Sequence, residues 1–386
     1  MKFCMVNAFF YPYIGGSEKH MYELGKRIAK KEELYVLTSL LKNTKEYEEL
    51  EDMKIFRVKA KEYKMPLIYP PPFITAPYAR KEIERLDEEL DFDVFNLHGR
   101  WFPDFGYVVK YANQKGKLVT LTLHNGRPVG INPLVTVLGT CFDLAYGKKL
   151  LKKVDRIIAV SASVKEDISK YGLNKDKITV IHNGVDTEVF RPTEPVFKEK
   201  YEGCDNLLIF VGRIIEQKGL DHLIDAMPRI LKEYPRTKLL IVGKGKIKPR
   251  LIKKVKKMDL NKRIIFPGFI DEELMPNLYS SADVFVLPSL WEVLPIALLE
   301  GLSCGAPLLA SDAGGNPEIV ENGKNGFIFE KKNEEELIEK LRIMLDDHNL
   351  RKKMRRESRK IALKKFDWGL ITARTLNFYR ELVDDA

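Results

Sequence analysis

The sequence predicts an α/β protein built from two doubly wound, largely parallel sheets. Three observations carry this expectation. The chain's 386 residues exceed what one hydrophobic core usually supports. Short apolar strands at Leu34–Thr38, Ile55–Val58, Val94–Leu97 and Leu118–Leu123 alternate with stretches of helical period, the mark of strands linked by crossover helices. Further strands at Leu207–Gly212, Leu239–Gly245, Ile264–Ile270 and Val284–Leu287 follow a segment, 193–205, that reads as a linker through Pro195 and Gly203. The expected domains are therefore 1–192 and 206–367.

Composition narrows the class. Hydrophobic residues make up 45% of the chain, enough for two cores. No apolar run reaches the roughly 18 residues of a membrane span. Met1–Phe10 is broken by Asn7 and followed by Tyr-Pro-Tyr, so it reads as a first strand rather than a signal peptide. Cys4, Cys141, Cys204 and Cys304 are scattered without C-x-x-C spacing, which favours free thiols in a reducing cytoplasm. Glutamine occurs only at 114 and 217 against abundant Lys and Glu, a composition seen in thermostable proteins. A net charge of +10 suits an anionic nucleotide, an anionic membrane or nucleic acid and does not choose among them.

Taken in order, the first strand leads into Gly15-Gly16-Ser17-Glu18 and a helix with Met21, Leu24 and Ile28 at helical spacing. Paired glycines there serve either a tight turn or the close approach of backbone to a ligand. His98-Gly99 and His124-Asn125-Gly126 fall at carboxyl ends of strands, where ligands of such sheets bind; a lone histidine is more often structural, and two at adjacent strand ends bring the readings level. Asp91-Phe-Asp93 has a D-x-D spacing but precedes its strand, so Asp93 reads as a strand opener and no metal is expected. Lys152–Val160 reads as a strand leading to a helix capped at Ser161-Ala-Ser163. Asn183-Gly184 marks a turn within Ile181–Pro192.

In the second half, Arg213 and Lys218 follow a strand and precede a helix, where two cations flank a diphosphate or stand solvated. Val-Gly-Lys-Gly at 242–245 lacks the third glycine and the later acidic residue of a dinucleotide site. Asp283–Pro307 reads as a buried strand, Val284–Leu287, then a turn and a helix with Pro295 at its first position, ending by Gly305. Glu292 precedes that helix and Glu300 lies about five residues into it, a rise of roughly 7–8 Å. The helix start between them offers unpaired N–H groups to an anion. By spacing alone, a solvated glutamate and a helix-surface glutamate account for the pair better. Arg351–Lys365 reads as a basic, solvated helix face, and Phe366–Leu382 as a final amphipathic helix.

The combination is more specific than its parts. Glu292-x7-Glu300, followed by S-C-G-A-P-L-L-A-S-D-A-G-G-N-P-E from Ser303 to Glu318, strongly resembles the signature of retaining glycosyltransferase family 4. Ile181–Pro192 and the Arg213-x4-Lys218 pair resemble further landmarks of that family, so the likeness covers nearly the whole chain. It implies the GT-B fold, two facing Rossmann-like domains with the last helix, 368–386, returning to the first. It also implies that Glu292 holds donor-sugar hydroxyls and Glu300 the ribose, with Arg213, Lys218 and the helix start at Leu294, Pro295 and Ile296 around the diphosphate. Gly15 and Gly16 would face the donor phosphates and the acceptor, His124 the sugar, and Phe269 the base. Val293-Leu294-Pro295 departs from the Gly-Phe-Gly common in the family, which leaves the donor sugar open.

The implied reaction moves a hexose-type sugar from a nucleoside-diphosphate donor, UDP- or GDP-linked, to a glycan or lipid-linked acceptor by front-face substitution. No carboxylate in these motifs is placed for a covalent intermediate. The donor is a co-substrate, no cofactor or metal is required, and nucleic acid is not an expected partner. A nucleotide-sugar epimerase and a non-catalytic sugar- or nucleotide-binding protein are the competing readings. Two uncharged stretches, Met65–Ala79 and Pro128–Phe142, the first flanked by Lys59, Lys61, Lys64, Arg80 and Lys81, suggest peripheral contact with an anionic membrane on its cytoplasmic face. Packing against the first domain's own core explains them as well.

Overall fold

The computed structural model describes residues 1–13, 15–63, 73–76, 79–100, 102, 104–127, 133–201, 203–268 and 270–385. Contacts divide the chain into two units, Met1–Asn183 with Trp368–Ala386, and Gly184–Asp367.

The first unit holds an eight-stranded sheet in the order β10-β9-β8-β7-β1-β2-β4-β3. Its strands are β1 (Lys2–Val6), β2 (Glu33–Ser39), β3 (Tyr47–Leu50), β4 (Met53–Val58), β7 (Val94–His98), β8 (Leu118–Leu123), β9 (Arg156–Ala159) and β10 (Ile178–Val180). A separate antiparallel pair is formed by β5 (Lys61–Tyr63) and β6 (Phe73–Thr75). All pairings in the main sheet are parallel except β3 with β4. From β1 the chain builds outward through β2, then returns to the other side of β1 with β7. That reversal makes β1/β7 a topological switch point.

The second unit carries six parallel strands in the order β13-β12-β11-β14-β15-β16. They are β11 (Asn206–Val211), β12 (Thr237–Val242), β13 (Ile264–Ile265), β14 (Val284–Leu287), β15 (Leu308–Ser311) and β16 (Gly326–Phe329). Here the switch falls between β11 and β14, which pair through Leu208–Val284 and Ile209–Phe285. Buried Leu207, Ile209, Leu239, Ile241, Val284 and Phe285 explain why these strands read as continuous apolar runs: helices cover both faces of a parallel sheet.

Several expectations need correction. The segment 184–192 belongs to the second unit, because Val185 and Phe190 are buried in that unit's core. Lys152–Val160 is not one strand: a helix, Lys148–Lys153, ends at Val154, whose extended ψ of 154° stops it, and only Arg156–Ala159 pairs. Lysines in that last turn suit the negative end of the helix dipole. The strand at 264–270 shortens to two residues, and Gly268 with φ of 91° turns the chain just beyond it. Phe269 lies outside the described residues, as do most of Met65–Ala79 and the start of Pro128–Phe142.

The basic helix is not simply solvated. It runs His348–Ile361, followed by a π-turn at Ala362–Phe366. Arg351, Arg355 and Arg359, one turn apart, face inward. They donate to the carbonyls of Leu345 (2.7 Å), Ser280 (2.9 Å) and Phe190 (3.1 Å). Guanidinium groups carry enough donors to satisfy several such carbonyls at once. The final helix, Trp368–Asp384, packs with the first unit, where Ile371, Leu376 and Tyr379 share a core with Phe3, Met21 and Ile28.

Candidate active site

Parallel pairing places the loops after β11, β14 and β15 at one edge of the second unit's sheet, and glycines let them meet. A Cβ on Gly243 would stand 1.9 Å from the Gly212 carbonyl oxygen, and one on Gly245 would stand 2.0 Å from that of Ile214. The Gly-x-Gly after β12 therefore seats the Arg213 loop. Gly219, at φ of 62°, lies against the Pro288 carbonyl, where a Cβ would come within 2.0 Å. Gly314 and Gly315 do the same against the carbonyls of Glu292 and Val293, at 2.0 and 2.1 Å. Each of these positions excludes a side chain by contact with backbone, which cannot move aside cheaply.

This packing brings Lys218 and Glu292 into a buried ion pair. Lys218 ends the 3-10 turn Glu216–Lys218 after β11, and Glu292 lies in the loop after β14. Ser289 Oγ donates to the same Glu292 oxygen at 2.6 Å. Ser311 Oγ in turn donates to the Ser289 carbonyl at 2.5 Å, and Asn316 Nδ2 to the Ser311 carbonyl at 3.0 Å. Gln217 fastens the turn by donating to the Trp291 carbonyl at 2.9 Å. Arg213 is exposed, on the loop between β11 and the turn. The two cations thus differ in setting: Lys218 is buried against a carboxylate, and Arg213 is exposed.

The helix after this loop spans Ile296–Ser303, and Pro295 is its N-cap, not its first residue, because its ψ of 119° is extended. No side chain caps the start. Glu300 is buried on this helix and accepts a 2.9 Å hydrogen bond from Tyr279. Burial, and then the Glu300 carboxylate, push the Tyr279 hydroxyl well above its usual range, so it stays a donor. Sequence reasoning placed Glu292, Glu300, Lys218 and the helix start on one edge but missed Ser289 and Tyr279. Nothing in spacing alone marks either.

In the first unit, Gly15 caps the helix Gly16–Ile28 with extended backbone, φ of −144°, so neither glycine answers a left-handed turn. The Glu18 carboxylate folds back over Gly15, and space above Gly16 is open to 4 Å. Asp93 is a strand opener: its Oδ2 accepts from the Lys2 amide at 2.8 Å. His98 and His124 end adjacent strands, and His20, from the first helix, joins them. Ligand nitrogens of all three lie within 4.8 Å of one another, the one such group among the described residues. Burial first, then repulsion between the rings, holds His98 and His124 well below the ordinary histidine value. Burial takes His20 from 6.5 down to about 4, with Asn183 pulling the other way.

A residue that sequence reasoning passed over supports this cluster. Arg100 is fully buried and makes a two-point ion pair with buried Asp143, at 2.9 and 2.8 Å. The same guanidinium donates to the carbonyls of Asn125 (2.9 Å) and Gly126 (2.8 Å), fixing the loop that follows His124. Tyr171 completes the set by donating to Asp143 at 2.7 Å. Arg100→Ala leaves the carboxylate buried and unpaired, so it should cost about 3–5 kcal/mol in chemical denaturation. Arg100→Met with Asp143→Leu should recover much of that loss; equal losses would show that the ion pair is not what the loop depends on.

The histidines also set a pH response. Their folded pKa values lie below the unfolded value of 6.5, so between about 4 and 6.5 the unfolded chain binds more protons. Stability therefore falls as pH drops through that window, by on the order of 3 kcal/mol for His20 alone. Thermal midpoints measured from about pH 7 to about pH 5 should decline, and His20→Gln should decline less. An identical decline in the variant would place the proton uptake elsewhere.

Comparison with known proteins supplies the family. Residues 14–189 match the model of "Glycosyltransferase Family 4", and residues 193–361 match that of "Glycosyl transferases group 1". The chain is 27% identical to an uncharacterized glycosyltransferase of Methanocaldococcus jannaschii, over 98% of each chain. Its fold is like that of sucrose-phosphate synthase from Thermosynechococcus elongatus, with a TM-score of 0.84, 20% identity and full coverage of both chains. It is also like Anabaena HepE, crystallised with UDP-glucose, with a TM-score of 0.76, 18% identity and coverage of 99% of this chain and 100% of that one. Two α/β units with parallel sheets, the switch-point glutamates and both family matches agree: the chain is a glycosyltransferase of group 1 with the GT-B fold.

Proposed function

We propose that this glycosyltransferase moves a hexose from a nucleoside-diphosphate sugar to a hydroxyl of a glycan or lipid-linked acceptor, with retention and without a metal. The observation that carries this reading is the buried Lys218–Glu292 pair at the β11/β14 switch point, beside an uncapped helix start. A carboxylate can bond sugar hydroxyls and an ammonium can meet a diphosphate, and here the two are held side by side. UDP-glucose bound to the structurally similar HepE supports a nucleotide-sugar donor. In this reading Glu292 takes the sugar hydroxyls and Glu300, backed by Tyr279, takes the ribose. Lys218, Arg213 and the amides after Pro295 stabilise charge on the departing diphosphate, which accepts the incoming hydroxyl's proton in a front-face substitution.

The two glutamates then separate by ligand. Glu300→Ala should weaken binding of UDP or GDP, which contain ribose, while Glu292→Gln should leave that binding nearly unchanged and lower transfer about tenfold or more. Equal losses of nucleotide affinity would overturn the assignment. Lys218→Met alone leaves Glu292 buried without its partner, so Lys218→Met with Glu292→Gln is the control that separates folding from catalysis.

A lipid-linked acceptor has its own support. Val137, Leu138 and Leu144 are 58%, 45% and 60% exposed, with exposed Cys141 between them. Lys148, Lys149, Lys152 and Lys153 continue the same helical run. An apolar face leading into lysines matches an anionic bilayer surface, to which each basic residue contributes roughly 1 kcal/mol. No described helix is long and apolar enough to cross a membrane, so the contact would be peripheral. Co-sedimentation with phosphatidylserine-containing vesicles at low salt should capture the protein, and Leu138→Glu with Leu144→Glu should release it. Absence of binding at low salt removes the membrane from the reading.

A further inference from the structure

Two donors converge on one oxygen of Glu292. Lys218 pairs with Oε1, and Ser289 Oγ donates to that same atom at 2.6 Å. The two oxygens of a carboxylate share about four lone-pair sites, so these two donors fill Oε1. Among the described residues nothing donates to Oε2. Lys218 by itself does not decide this arrangement. An ammonium on a four-carbon stem is a compact charge with rotatable donors, and it attracts whichever carboxylate oxygen stands nearer. Ser289 is more demanding. It is closed to solvent, and its short side chain presents the hydroxyl from a position that the backbone sets. That backbone is held in turn. Ser311 Oγ donates to the Ser289 carbonyl, Asn316 Nδ2 donates to the Ser311 carbonyl, and the Leu290 amide donates to the Gln217 carbonyl at 2.8 Å. The loops after β11, β14 and β15 therefore all bear on where this hydroxyl sits.

We propose that Ser289 is a positioning residue: its hydroxyl pins Glu292 Oε1 beside Lys218 and leaves Oε2 as the oxygen that receives a ligand hydroxyl. The positioning half rests on the two hydrogen bonds within the second unit; the ligand half rests on the nucleotide-sugar reading above. Packing alone explains the size of the side chain but not its bond, because alanine fills nearly the same space without needing an acceptor.

The test uses the full chain with Ser289→Ala, Ser289→Cys, Glu292→Ala and the double variant Ser289→Ala with Glu292→Ala. Calorimetric titration of UDP-glucose and UDP reads the ligand half, and chemical denaturation reads the positioning half. Ser289→Ala should weaken UDP-glucose about tenfold, the loss expected of one hydrogen bond to a charged group, with UDP little changed. Ser289→Cys keeps the volume but offers only a weak S–H donor, so it should lose nearly as much. In denaturation, the loss caused by Ser289→Ala should be roughly halved or less once Glu292 is alanine, since the two side chains are in contact. A packing role would instead spare Ser289→Cys, lower both affinities together, or give the same stability loss in both backgrounds. Any of these results would overturn the inference. Should Glu292→Ala not fold, the comparison of Ser289→Cys with Ser289→Ala decides. If neither UDP-glucose nor UDP binds, the nucleotide-sugar reading fails, while the denaturation cycle still decides whether Ser289 holds Glu292.

Discussion

Parallel pairing is the constraint on which the site depends. Each strand in a parallel sheet must be followed by a crossover, so every strand's carboxyl end, and the loop after it, lies on the same edge. In the second unit the sheet reverses its order of growth between β11 and β14. The loops after these two neighbours depart to opposite faces and leave room between them. Lys218 comes from one loop and Glu292 from the other. Their meeting follows from strand order more than from anything local to either residue. The first unit shows the same logic: Gly15 lies beyond the end of β1, and His98 ends β7, the partner of β1 across the other switch point.

Buried charge is handled in three distinct ways. Arg100 and Asp143 are closed to solvent and satisfy each other, with the spare guanidinium donors spent on carbonyls of the His124 loop. Arg351, Arg355 and Arg359 bond mainly carbonyl oxygens and fasten their helix to the segments it covers. Burial lowers the Arg355 value without neutralising it. Lys218 and Glu292 form the exception, since both retain a little access to solvent at the edge of the candidate site. A replacement by apolar residues of similar volume is often tolerated for structural pairs of the first kind. At Lys218 and Glu292, where a ligand is proposed, the same replacement would remove the groups that meet it.

Glycines divide along a similar line. Gly219, Gly243, Gly245, Gly314 and Gly315 are needed because another backbone lies where their Cβ would be. Gly16 has no such neighbour. Structural demand therefore explains the glycines of the second unit's loops, including the Gly-x-Gly at 243–245, whereas the open space above Gly16 is compatible with a ligand. The Gly-x-Gly that lacks the rest of a dinucleotide fingerprint is here a device for stacking one loop upon the next.

Local pattern was enough for the class of fold, for the strands Leu118–Leu123 and Val284–Leu287 to the residue, and for setting Glu292 before and Glu300 within one helix. These are local signals: apolar runs bounded by turns, and a motif contained within a single loop and helix. Tertiary structure alone decided which groups meet. His20 is far in sequence from His98 and His124, and Arg100 is separated by 43 residues from Asp143. No periodicity connects such pairs, because each is created by crossovers that fold distant segments to one sheet edge. The basic run from Arg351 makes the same point. Its residue types suggested a solvated face, but the direction in which each arginine points depends on which side of the helix the core occupies, and one stripe of them turned inward.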